Sequence, residues 1–139
     1  MRRAASLLLA SLLATGLAAC ASTVSTTSFT GAARAVAQRV SDYQSHVAAG
    51  EAKQVCQDDL SAALRARLGA SGGSCTQAVK RQLVSVDDYE ATVVKNGIAI
   101  AGATATARVS STWSGKARIV TLQLLKQAGS WRIAGLSFK

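Results

Sequence analysis

The side chains best suited to chemistry fall in two short clusters. Asp42, Tyr43 and His46 bring a carboxylate, a phenol and the chain's single imidazole together, and Asp87, Asp88 and Tyr89 bring two carboxylates beside the second phenol. Carboxylates, phenols and imidazoles hold and move protons. Tyr43 and His46 stand at i and i+3 and so share a helix face. Tyr43 falls in the apolar series of that helix, and Asp42 and His46 fall at its edge. The three form either a polar cluster at a pocket mouth or a buried tyrosine with ordinary surface neighbours. Asp87-Asp88 reads as part of a solvated connection, since two carboxylates without further ligands make a poor metal site. The sequence has no serine-nucleophile signature, phosphate loop or zinc motif, so neither a metal nor a cofactor is expected. Trp113 and Trp131 read as closing the hydrophobic core. The alternative is that they line an apolar ligand cavity with Tyr43 and Tyr89.

Where such groups work is set by the first twenty residues. Arg2 and Arg3 precede an uncharged run from Ala4 to Ala19 that carries Leu7, Leu8, Leu9, Leu12, Leu13 and Leu17. That run is shorter than the ~20 residues a membrane span needs, and small residues close it, which is the pattern of a secretory signal. Leu17-Ala18-Ala19-Cys20 resembles the lipobox of bacterial lipoproteins. The resemblance implies diacylglyceryl transfer to the Cys20 thiol and cleavage just before it. Residues 1–19 would then be a signal peptide and Cys20 the lipid-bearing first residue of an extracytoplasmic protein. The anchor would lie on the cell membrane or the outer membrane. Ser/Thr-rich residues 21–30 show neither helix nor strand periodicity and read, with Cys20, as a tether over residues 20–30.

Removing residues 1–19 leaves 120, enough for one domain, and lowers the formal charge from +9 to +7. The remaining Lys and Arg are scattered and aromatics are few, so a nucleic-acid partner is not expected. Cys56 and Cys75 remain as an even pair. In an oxidising compartment such a pair reads as a disulfide rather than a metal site or a redox dithiol.

The elements that must position these residues follow from hydrophobic periodicity. From Gly31, the residues Ala33, Val36, Ala37, Val40, Tyr43 and Val47 recur at helical steps, with Arg34, Gln38, Arg39 and Asp42 facing elsewhere. Gly50 ends this helix. A second helical stretch buries Ala52, Val55, Cys56, Leu60, Ala63, Leu64 and Leu68, with a break and restart expected at Asp58-Asp59. Gly69 is expected to stop it, Gly72-Gly73 to turn, and Ser74 to cap a short helix through Ala78, Val79 and Leu83. After Ser85 the period becomes two. A long strand is expected from Ala91 to Ile100, with Asn96-Gly97 as a bulge inside it; the alternative is a hairpin turn at that dipeptide. Turns at Ala101-Gly102, Ser114-Gly115 and Ala128-Gly129 divide the rest into strands, with a further bulge at Gly135. Helices followed by an antiparallel meander make the fold class α+β, with helices on the apolar face of a curved sheet of about four strands.

Two stretches of that meander resemble a known family. Residues 98–107, Ile-Ala-Ile-Ala-Gly-Ala-Thr-Ala-Thr-Ala, are similar to an apolar strand, glycine turn and A-T-A strand found in NTF2-like (cystatin-like) domains. Gly129-Ser130-Trp131-Arg132-Ile133-Ala134-Gly135-Leu136 resembles their closing strand. The helical half, with Cys56 and Cys75, resembles exported actinobacterial lipoproteins of that superfamily. The likeness spans residues 31–139 and implies a cone-shaped domain. NTF2-like enzymes of the ketosteroid-isomerase type place an Asp or His base and a Tyr or Asp donor in an apolar cavity, which implies Asp42, Tyr43 and His46 as candidates. The fold also hosts non-catalytic modules. The expected function is therefore a membrane-anchored binding or protein-interaction module, and the alternative is a small isomerase- or dehydratase-like enzyme. Its partners would be the membrane, through Cys20, and another envelope protein or an apolar small ligand. The outer sheet face offers a route to a homodimer.

Overall fold

Helix α1 (Gly31–Ala48) buries Val36, Ala37, Val40 and Val47 along one face, following the apolar spacing of its sequence. A computed structural model describes residues 25–84 and 89–138. Residues 1–19, expected to be a signal peptide and including Leu17, Ala18 and Ala19, lie outside the described residues, as do Cys20 and the pair Asp87 and Asp88. Ahead of α1, Thr26–Ser28 form a short 3-10 turn, and Phe29 packs against the core.

After Gly50, whose φ of +72° suits glycine, helix α2 (Ala52–Gln54) runs directly into a π-helical turn, Val55–Asp59. The break expected at Asp58-Asp59 is therefore present, but its cause differs. Ser61, not a carboxylate, caps helix α3 (Ala62–Gly72) by accepting from the Leu64 N–H at 3.2 Å. Leu60 is extended and forms a parallel bridge to Ile133, and the Ser61 N–H donates to the Ile133 carbonyl at 2.8 Å. Gly69 does not stop α3. The helix continues through it, and Gly73, at φ +85°, ends it. Ala63 is exposed instead of buried. Ser74 caps helix α4 (Cys75–Leu83) as its position suggested, accepting from the Gln77 N–H at 3.1 Å.

The sheet is an open antiparallel meander in the order β1 (Tyr89–Ala101), β2 (Thr104–Trp113), β3 (Lys116–Gln127), β4 (Ser130–Phe138). The fold class is α+β, with the helices packed on the curved sheet. Ser114-Gly115 and Ala128-Gly129 have positive φ at both positions, the geometry of tight hairpin turns. The first turn falls at Gly102-Ala103, one residue beyond the expected place. Asn96-Gly97 is a bulge inside β1. Val93 pairs with Val109 and Ile98 with Ala107, so residues 94–97 stand opposite Arg108 alone. Gly97 is required there, because a Cβ would come within 2.7 Å of the Val94 carbonyl oxygen and 2.9 Å of that of Arg108. The second bulge also exists: Gln123 pairs with Gly135 but Leu124 pairs with Ile133.

The core lies between α1 and the sheet. Val36 and Val40 belong to one buried cluster with Ala107, Val109, Leu122, Leu124, Trp131 and Ile133, all nearly inaccessible. Trp131 closes the core as expected; Trp113 does not, and remains 41% exposed. Cys56 in the π-turn and Cys75 at the start of α4 are joined as a disulfide, with Cα atoms 6.1 Å apart.

Candidate functional site

Asp59 is the centre of the most concentrated polar chemistry in the described residues, and it is fully buried. One carboxylate oxygen accepts from an Arg39 guanidinium nitrogen at 2.8 Å. The other accepts from His46 Nδ1, also at 2.8 Å. Arg39 is itself fixed, since its Nε donates to the Trp131 carbonyl at 2.9 Å. Arg39, Tyr43 and His46 sit at i, i+4 and i+7 on α1, so helical geometry brings them to one face. The π-turn then delivers Asp59 to that face.

The turn is held from several sides. Cys75 ties it through Cys56. Arg132 on β4 donates to the carbonyls of Gln57, at 2.9 Å, and Asp58. These bonds satisfy carbonyls at the end of the turn that have no helical partner. Among the described residues, no buried side-chain nitrogen or oxygen lacks a partner.

The electrostatics follow from this geometry. Burial pushes the Asp59 carboxyl above the ordinary carboxylate range, against the opposing pull of hydrogen bonds from His46 and Arg39. The Asp59 hydrogen bond raises the His46 imidazole above its usual value, and desolvation only partly opposes it. A proton on Nδ1 is fixed by the carboxylate, which leaves Nε2 on a side chain that is 24% exposed. An Asp–His pair of this kind orients an imidazole and can hold or accept a proton at Nε2.

A second constellation lies at the start of β1. Tyr43 meets Tyr89 edge-on with ring centroids 6.1 Å apart, and Tyr89 meets Trp113 edge-on at 5.8 Å. Burial raises both phenols, above all Tyr89. Both phenols therefore stay protonated near neutrality and can donate.

The candidates read from the sequence divide between these two places. Tyr43, Tyr89 and Trp113 come together, whereas Trp131 lies in the core, its carbonyl on Arg39. His46 pairs with Asp59. Asp42 accepts from Gln38 at 2.8 Å and stands 3.7 Å from Arg39, at the exposed margin. An open depression of about 400 Å³ lies elsewhere, against Ala99, Ala101, Thr104, Thr106, Gln123 and Leu125. None of the candidates lines it. Among the described residues, no group of three or more His, Cys, Asp and Glu gathers as metal ligands would.

Arg39 and Asp59 were not among the sequence candidates, and Arg39 was placed away from the core face. A signal existed for both. Asp59 lies three residues after Cys56 and four after Val55, within the spacing of the buried series. Arg39 stands three after Val36 and four before Tyr43 in the same way. A charged residue at an apolar step of each of two helical segments is what a buried ion pair looks like in sequence. No protein-family model matches the chain, and no curated protein matches it.

Proposed function

We propose that the chain is an exported, lipid-anchored envelope protein whose NTF2-like α+β domain acts as a non-catalytic binding or protein-interaction module. The anchor and the cell-envelope location rest on Leu17-Ala18-Ala19-Cys20 behind an apolar signal. The disulfide fits an oxidising compartment. The family reading rests on the strand motifs at residues 98–107 and 129–136, and an α+β order of helices then meander accords with it.

One observation carries the binding reading. The groups that could do chemistry are engaged with one another: both Asp59 oxygens, the Arg39 guanidinium and His46 Nδ1 form one satisfied network. Beside them, Val36, Val40, Leu122, Leu124 and Ile133 fill the space between α1 and the sheet. The test is to express the full chain in a bacterium with labelled palmitate and to assay the purified product. Label on Cys20 that is lost in Cys20→Ala supports the anchor. A small ketone or hydroxy compound turned over by the wild type, with loss in His46→Ala or Tyr43→Phe, overturns the binding reading.

A second reading, an isomerase- or dehydratase-like enzyme, is favoured by one feature. Asp59 fixes the His46 imidazole so that Nε2 is free to act as a base. The same turnover assay decides between the two.

A further inference from the structure

The β2–β3 hairpin ends in a group of side chains that the core does not use. Among the described residues, Trp113 has one ring contact, edge-on with Tyr89, and it is 41% exposed. Across the Ser114-Gly115 turn it pairs with Lys116, and two steps further Ser111 pairs with Arg118. Because side chains alternate along a strand, Trp113, Lys116 and Arg118 project to the same face of the hairpin. Both cations are exposed. No carboxylate occurs between Trp113 and Arg118, and neither cation forms an ion pair with a described residue.

An indole with one supported edge and one free edge, flanked by an ammonium and a guanidinium, suits the boundary between acyl chains and anionic head groups. The ring has an apolar body and a polar N–H, which places it at head-group depth. The two cations reach phosphates while their stems cover apolar surface. An acidic protein surface would match the same side chains, but under the lipid-anchor reading the tether holds the tip beside anionic head groups at all times. The formal charge of +7 that is left once residues 1–19, with Arg2 and Arg3, are removed adds attraction in the same direction.

We propose that the hairpin tip, Trp113 with Lys116 and Arg118, docks on the anionic phospholipid surface of the membrane that carries the protein. The proposal rests on the lipid-anchor reading. With Cys20 acylated, Ser25 is five residues from the bilayer, a reach of at most ~17 Å. The domain is then held at high local concentration beside the head groups, so a weak contact suffices to orient it.

The test uses the full lipoprotein, with acylation of Cys20 first checked by mass. It is reconstituted into phosphatidylcholine vesicles with brominated acyl chains, with or without phosphatidylglycerol. The signal of Trp113 is the difference in fluorescence between the wild type and Trp113→Phe; buried Trp131 contributes equally to both. Quenching of Trp113 should be about 2-fold or more stronger in the anionic vesicles, and should fade in high salt and in Lys116→Glu/Arg118→Glu. Those two residues are exposed, so unchanged circular dichroism verifies that the double variant folds. If acylated protein shows equal, weak quenching in both compositions, the docking proposal falls while the anchor stands, and the tip is left to an acidic protein partner. If Cys20 carries no acyl group, the anchor reading falls. Co-sedimentation of the same protein with anionic vesicles then decides the docking: pelleting supports it, and protein left in the supernatant overturns it.

Discussion

The helical half and the sheet are organised by opposite means. Each strand of the sheet pairs with the next in sequence, and its turns are two residues long. Its interactions are local, and its instructions are written in alternation and turn dipeptides. The helical half is tied together at one point, Asp59, by partners from distant segments: Arg39 and His46 on α1, the disulfide to Cys75, and Arg132 from β4. One region is robust because its contacts are many and near. The other concentrates its specificity in a few polar and covalent ties.

The largest loss is therefore expected from Asp59→Ala. Removing one member of a buried charged network costs about 3 kcal/mol, the low end of the range because Arg39 and His46 keep some access to water. Urea unfolding with an unchanged m-value would register it as a lower midpoint. Asp59→Asn, which retains an acceptor for Arg39, should lose less. Equal stability of Asp59→Ala and wild type would mean that the network does not hold the helical half together. Next comes Cys56→Ser. Opening the cross-link between residues 19 apart should cost close to ~3 kcal/mol by loop-closure entropy. Because Cys56 and Asp59 share one turn, the double variant should lose less than the two losses added. Strict additivity would show that the disulfide and the polar network act independently.

The sheet has its own single point of dependence, the β1 bulge. In Gly97→Ala the new methyl meets two backbone carbonyl oxygens at 2.7 and 2.9 Å, and neither can swing aside as a side chain would. A loss of about 2 kcal/mol is expected, as for overpacking elsewhere. A neutral Gly97→Ala would show that the bulge shifts register cheaply, which would weaken the contrast between the two halves.

The same contrast explains what could be read in advance. The four strands, the hairpin turns at Ser114-Gly115 and Ala128-Gly129, both bulges and the Ser74 cap were legible because each depends on residues within a few positions. Gly69 misled because a glycine's cost inside a helix, ~1 kcal/mol, is small enough for packing to override. Asp58-Asp59 marked a break correctly, yet the preference of carboxylates for helix starts concealed that Asp59 points inward. Its partners are 13 and 20 residues away, and no local rule names them. Trp113 misled for a related reason. Alternation puts it on the inner face, but the helices that would cover it do not extend over the hairpin tip, and that is a matter of tertiary reach.

The smallest expected effect is also the most specific probe of the polar network. The folded-state pKa of His46 is raised, mainly by its hydrogen bond to Asp59. Its contribution to stability is therefore fully present below the unfolded value of about 6.5, and is lost as pH rises through the folded value. The raised Asp59 carboxyl acts with the same sign, so the wild type is compared with a variant that lacks the imidazole. His46 is the only histidine in the sequence, so the part of the slope between pH 6 and pH 8 that the variant loses belongs to it. The expected loss over that interval is about 0.5–1 kcal/mol, in line with a partly exposed pair. Urea midpoints measured across the interval should fall for the wild type and fall less in His46→Gln. A midpoint that rises with pH would mean that Asp59 fails to favour the imidazolium. The network would then be a tie between Asp59 and Arg39, with His46 at its side.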